Sequence, residues 1–123
     1  MIEDFQTAFK TSSLITSKQA KIKFFSFPDT DTFTGLYIIV NPVTPPKPTD
    51  YADNKVYTAI EQLFQVNVWT KSYADSQAVA NEVRDVLLRE YHFIQDDGAP
   101  LEFDKSTGIY NDARRYRCKK TLI

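Results

Sequence analysis

The chain has 123 residues, 42% of them apolar and 25% charged, the size and composition of one domain, residues 1–123, with a single hydrophobic core. A net charge of −1 and a single cysteine, Cys118, argue against a general nucleic-acid binder and exclude an intramolecular disulfide. No apolar run approaches the ~18 residues of a membrane span, so no membrane partner is expected.

The charge is uneven. Residues 104–123 sum to +4 and residues 1–103 to −5, a basic strip on an acidic body. Glu3 and Asp4 stand where a secretory signal would be positive, and the cysteine usage suits a reducing compartment, so a soluble protein made in the cytoplasm is expected.

In chain order, Ile2, Phe5 and Phe9 recur at helical spacing with Glu3, Asp4 and Lys10 between them, predicting a short N-terminal helix. "AKIKFFSF" (residues 20–27) alternates, with Ile22 and Phe24 on one face and Lys21, Lys23 and Phe25 on the other: a half-buried strand closed by Pro28. "GLYIIV" (35–40) is a continuous β-branched and aromatic run, as in a strand covered on both faces.

Residues 41–54, "NPVTPPKPTDYADN", hold four of the six prolines, including Pro45 and Pro46. Proline fixes φ and removes a donor, so an extended Pro-rich loop is expected here, outside helix and sheet, mobile in the free subunit and ordered against a neighbour. Its PxxP spacings are a weak pattern without the arginines of an SH3 ligand.

The run 55–70 returns to period two, with Phe64, Val66, Val68 and Thr70 facing the core and Gln65, Asn67 and Trp69 on the other side. Residues 72–91 form the clearest helix: Ser72 and Asp75 make a capping-box pattern, and Val79, Val83, Val86, Leu87 and Tyr91 make one apolar stripe. The last third predicts a β meander, with a turn at Asp96-Asp97-Gly98 and another at 104–108, where Gly108 is free to take a left-handed conformation.

The final strand contains "RRYRCKK" (114–120). At period two, Ala113, Arg115, Arg117 and Lys119 share one face, a basic ladder, and Arg114, Tyr116, Cys118 and Lys120 share the other. Together these elements predict an α+β fold: a central, mostly antiparallel (mixed) sheet with two helices packed on one face.

Little in the chain suggests catalysis. The only histidine, His92, falls just past the long helix, where a solvated side chain is expected, and nothing in the sequence joins it to Cys118. Lysine and arginine neighbours would lower the Cys118 pKa, a reason to test its reactivity. Zinc spacing, Walker A, GxGxxG and GxSxG are all absent. No enzyme, cofactor or metal site is expected. Trp69 shares its face with Gln65 and Asn67, which makes it a candidate anchor for a protein partner, unless the long helix or the Pro-rich loop folds over it.

Two stretches, "FQVNVWTKSYADSQAVANEVRDVL" (64–87) and "QDDGAPLEFDKSTGIYNDARRYRCKK" (95–120), resemble the tail terminators, the small tail-completion proteins of long-tailed bacteriophages and prophages of Gram-positive hosts; the run D-x-x-T-G-I-Y…R-R-Y-R is the more specific part. The resemblance implies a virion protein, assembled in the bacterial cytoplasm, that forms a hexameric ring with itself. Such a ring caps the head-proximal end of the tail tube, stops polymerisation of the major tail tube protein and receives a head-completion protein, with DNA only as passing cargo. No catalytic residue is implied. The Pro-rich stretch is longer than in a minimal member.

On that reading the ladder residues Arg115, Arg117 and Lys119 belong to a subunit interface, together with Arg114 from the other face, Trp69, Pro45 and Pro46, because strong phosphate contacts in the lumen would hinder DNA passage. The alternatives are another head–tail connector protein of the same particle, at its neck or head closure, and a small nucleic-acid-binding module.

Overall fold

A computed structural model of the chain describes residues 1–31, 33–98 and 100–122, with the backbone only at Asp97. Among these, three helices and seven strands follow one another as α1 (Ile2–Thr11), α2 (Ser13–Ser17), β1 (Lys21–Phe24), β2 (Leu36–Pro42), β3 (Lys47–Ala52), β4 (Val56–Thr70), α3 (Tyr73–Tyr91), β5 (Ile94–Gly98), β6 (Glu102–Asp104) and β7 (Ile109–Thr121). The sheet runs β1-β2-β4-β7-β5, with β3 beside β4 and β6 beside β7. Only β1 and β2 are parallel; the other pairs are antiparallel. The architecture is α+β, as the element pattern implies. No described helix is long and apolar enough to cross a membrane.

The core lies between the sheet and the α1/α3 layer. Ile38 and Val40 of β2, Phe64, Val66 and Val68 of β4, and Tyr116 and Cys118 of β7 meet Phe5 and Phe9 of α1 and Val79, Val83, Val86 and Leu87 of α3. Each of these strand sets is one parity of its strand, so the period-two pattern selects the face. A smaller cluster on the opposite face joins Phe33, Tyr37, Ile39 and Ile109, with Trp69 against it. Lys21 and Lys23 lie over the Tyr37 ring on that side, as the alternation of β1 requires.

Local chemistry sets the ends of α3. The Ser72 hydroxyl accepts from the Asp75 N–H at 3.2 Å, one half of a capping box. The other half is missing, because the Asp75 carboxylate pairs with Lys18 at 3.0 Å. His92 stops the helix in a left-handed conformation (φ 58), where its N–H donates to Leu88 O and the Phe93 N–H to Leu87 O. It takes the place glycine usually fills.

The Pro-rich stretch is not a structureless loop. β3 pairs with β4 from Lys47↔Glu61 to Ala52↔Val56, on the same side of β4 that β2 occupies further along. The segment from β2 through β3 is therefore one long arm of a hairpin with β4, interrupted at 43–46. There the Val43 N–H donates to Leu63 O at 2.7 Å, and the Thr44 hydroxyl accepts from the Leu63 N–H at 3.1 Å. Pro45 and Pro46 sit in this interruption and Pro48 on an outer strand, positions where the absent donors cost little. The turn is Asp53-Asn54-Lys55 between the paired Ala52 and Val56; Asp53 and Asn54 are both at positive φ (54 and 56), which these two residue types tolerate, and the Lys55 N–H donates to Ala52 O.

A second correction concerns Asp96-Asp97-Gly98. These residues do not form a turn but lie in β5, whose register with β7 shifts between Gln95 and Gly98. A Cβ on Gly98 would come within 2.9 Å of Ala113 O, so the bulge needs glycine for close approach. The 104–108 turn is as expected: Gly108 has φ 74, and Asp104 accepts from both the N–H and the hydroxyl of Ser106.

Candidate assembly surface

The two faces of the sheet treat the cationic residues of β7 differently. On the helix side, Arg114 Nε donates to Asp112 Oδ1 at 2.9 Å and Nη2 to Oδ2 at 3.1 Å, while Nη1 reaches Asn81 Oδ1 on α3 at 3.0 Å. Gln77 of α3 donates to the same Asp112 carboxylate at 3.1 Å. Side-chain exposure is 15% for Arg114 and 7% for Asp112. Arg114 thus ties α3 to the sheet, and its guanidinium is taken up within the subunit and is not presented with the interface candidates Arg115, Arg117 and Lys119. Lys120, on the same side, pairs with Asp4 of α1 at 3.4 Å.

Arg115, Arg117 and Lys119 are exposed on the face that the helices leave open. Arg115 Nε donates to Gln65 Oε1 at 3.3 Å, and Lys119 pairs with Asp50 of β3 at 2.6 Å. The Lys119 ammonium beside Asp50 holds that carboxyl below its ordinary range. Arg117 has no ion pair among the described residues. It shares an open cleft of about 570 Å³ with Pro45, Pro46, Leu63 and Asp96, so the bulge in the hairpin brings the prolines to the ladder.

At the other end of this face lies Trp69. Neither the long helix nor the Pro-rich stretch covers it; the connection between β1 and β2 does. The Phe27 and Phe33 rings lie 5.2 and 6.2 Å from the indole, centroid to centroid, leaving Trp69 half-buried and Phe27 50% exposed. Among the described residues, buried Trp69 Nε1 finds no hydrogen-bond partner. It borders a cleft of about 300 Å³ whose walls include Thr30, Glu102, Asp104, Ile109 and Asn111. The acids belong to this face because Glu102 is opposite Asn111 and Asp104 opposite Ile109 across the β6–β7 ladder. Hydrogen bonds from the Ser106 hydroxyl and N–H hold the Asp104 carboxyl below its ordinary range, hence ionised at neutral pH.

The face is thus polar along its length, with aromatics and acids at one end and three cations at the other. Beyond them the β3–β4 hairpin extends outward, with Tyr51 61% and Val56 60% exposed near its tip. The hairpin had a sequence signal, Asp53-Asn54 before an alternating run. The cover over Trp69 had none, since its aromatics fall in an irregular connection.

The Cys118 thiol is fully buried and donates to Tyr116 O at 3.6 Å. Burial pushes its pKa up, against the lowering expected from neighbouring lysines and arginines, because desolvation dominates: Arg117 and Lys119 lie on the opposite face of the strand, and Lys120 is paired with Asp4. His92 is exposed and lines an open notch of about 770 Å³ with Glu90, Lys119 and Lys120. No group of three or more His, Cys, Asp or Glu side chains among the described residues is placed to hold a metal.

No protein-family model matches the chain, and no curated protein matches it in sequence. Its fold is similar to that of a chain in the solved virion of a native gene transfer agent (GTA) particle. The two share 12% identity and a TM-score of 0.64, over 94% of this chain and 90% of the other. At that identity the likeness is one of fold.

Proposed function

We propose that this chain is a structural subunit of a phage-like virion, and within it a tail terminator: a protein that works by binding, closing the head-proximal end of the tail tube as a hexameric ring. The ring stops polymerisation of the tube protein and presents a docking surface to a head-completion protein, with DNA passing through as cargo. The observation that carries this reading is the open sheet face. A protein with no neighbours gains little from leaving three cations, a half-covered tryptophan and an aromatic-tipped hairpin on one surface, whereas a ring subunit needs charge-patterned faces that select its neighbours. Fold likeness to a virion chain over nearly the whole length adds support, as do the two sequence stretches that resemble terminators.

The two distinct ends of the face suit head-to-tail contacts, which must close into a ring or else build a filament. Within this reading, Arg115, Arg117, Lys119, Trp69, Pro45 and Pro46 belong to interfaces, and Arg114 to the subunit's own fold. Adding the purified protein to polymerising tail tube protein tests the proposal. Tubes of bounded length with a ring at one end are expected. Tubes that elongate unchecked, with no density added to their ends, would contradict it and favour a neck or head-closure role.

A further inference from the structure

We propose that the cleft beside Trp69 is the socket for Arg117 of a second copy of this chain, so that the acidic and cationic ends of the open sheet face are the two halves of one head-to-tail contact. The inference rests on the ring reading and names its contact.

The case begins with what each end lacks. Arg117 is exposed and finds no carboxylate within ion-pair distance among the described residues, although Asp96 and Glu61 line the same cleft. Glu102 and Asp104 are exposed and likewise form no ion pair among the described residues. These groups cannot satisfy one another within a subunit. Glu102 is opposite Asn111, and from Asn111 to Arg117 along β7 is about 20 Å at ~3.3 Å per residue. A second copy removes the mismatch. Its guanidinium can take both carboxylates and lie on the indole face, combining charge-assisted hydrogen bonds with a cation–π contact.

The occupant is a cationic segment of a second copy, and not a nucleic acid, whose phosphates the two acids would repel. Because donor and socket are different patches, the contact is heterologous and propagates from copy to copy.

The test captures the contact at two positions that border it without supplying the proposed ion pair. Thr30→Cys marks the socket and Arg115→Cys the cationic end, and the native Cys118 is buried. Mixing the two variants with a short bis-maleimide linker, with and without tail tubes, should give a cross-linked dimer that neither variant gives alone. Adding Arg117→Glu to the Arg115→Cys chain should cut the yield by roughly tenfold or more, and adding Asp104→Arg to the Thr30→Cys chain should restore it. Circular dichroism of each variant verifies that it is folded. No mixed dimer, a yield indifferent to the reversals, or a dimer of Arg115→Cys with itself would overturn the proposal. Rings imaged for the unmodified protein without the mixed cross-link would remove this contact and leave the terminator reading. A mixed cross-link obeying the reversals, together with unbounded tubes, would do the opposite.

Discussion

Replacing Arg114 should damage the fold, and replacing its neighbour Arg115 should not. In Arg114→Met the stem still packs, but the Asp112 carboxylate loses both guanidinium bonds and keeps only the Gln77 amide, in a site where its side chain is 7% exposed. Breaking a buried pair by removing one partner costs about 3–5 kcal/mol, and the partial exposure of Arg114 points to the lower end. An unfolding entropy of about 2.1 cal/mol/K per residue gives about 0.26 kcal/mol/K for this chain, so ~3 kcal/mol lowers the melting midpoint by about 12 °C. Arg115→Met and Arg117→Met remove exposed cations and should cost within about 0.5 kcal/mol, near 2 °C. Scanning calorimetry with urea titration reads both. Adding Asp112→Leu to Arg114→Met removes the stranded charge and should recover part of the loss. Equal midpoints for the Arg114 and Arg115 variants, or no recovery in the double variant, would refute the division of the two faces.

The remaining expectations concern other parts of the chain. Burial raises the Cys118 thiol and the Tyr116 hydroxyl above their ordinary 9.0 and 10.0, so above pH 9 the unfolded chain binds fewer protons than the folded one. Stability from these groups is complete below that point and declines as pH rises through it, at up to about 1.4 kcal/mol per pH unit for each group; urea midpoints should fall from about pH 9 upward, and Cys118→Ala should move the onset higher. Phe33→Ala should cost about 3 kcal/mol, because Phe33 is 4% exposed. Phe27→Ala, at a half-exposed ring, should cost about 1 kcal/mol or less and shift Trp69 emission to the red as water reaches the indole. Gly98→Ala should lose about 1–3 kcal/mol through the contact with Ala113 O, and unchanged stability would mean that the bulge tolerates a side chain.

The strands and helices were legible where one periodicity ruled. The parity of β4 and β7 sorted the helix face from the open face, because side-chain direction alternates along a regular ladder; burial follows it less strictly, since Asn67 and Ala113 on the open face are also buried. Arg114 shows the limit: its position on the helix side could be read, but its pairing with Asp112 and Asn81 depends on where α3 crosses the sheet. The Pro-rich arm looks like a loop in sequence because four prolines outweigh the turn at Asp53-Asn54, whereas in the fold a bulge and an outer strand relax the rule that proline stays out of sheets. Asp96-Asp97-Gly98 has the composition of a turn, but a glycine is equally needed where two strands approach closely. The cover over Trp69 has no periodic signal and comes from the tertiary fold alone.

The most direct test of the central claim is genetic. Deleting the gene in its phage or prophage and imaging the induced lysate should show overlong tail tubes without heads beside DNA-filled heads without tails, with normal particles returning on complementation. Tails of normal length joined to heads would contradict a terminating role.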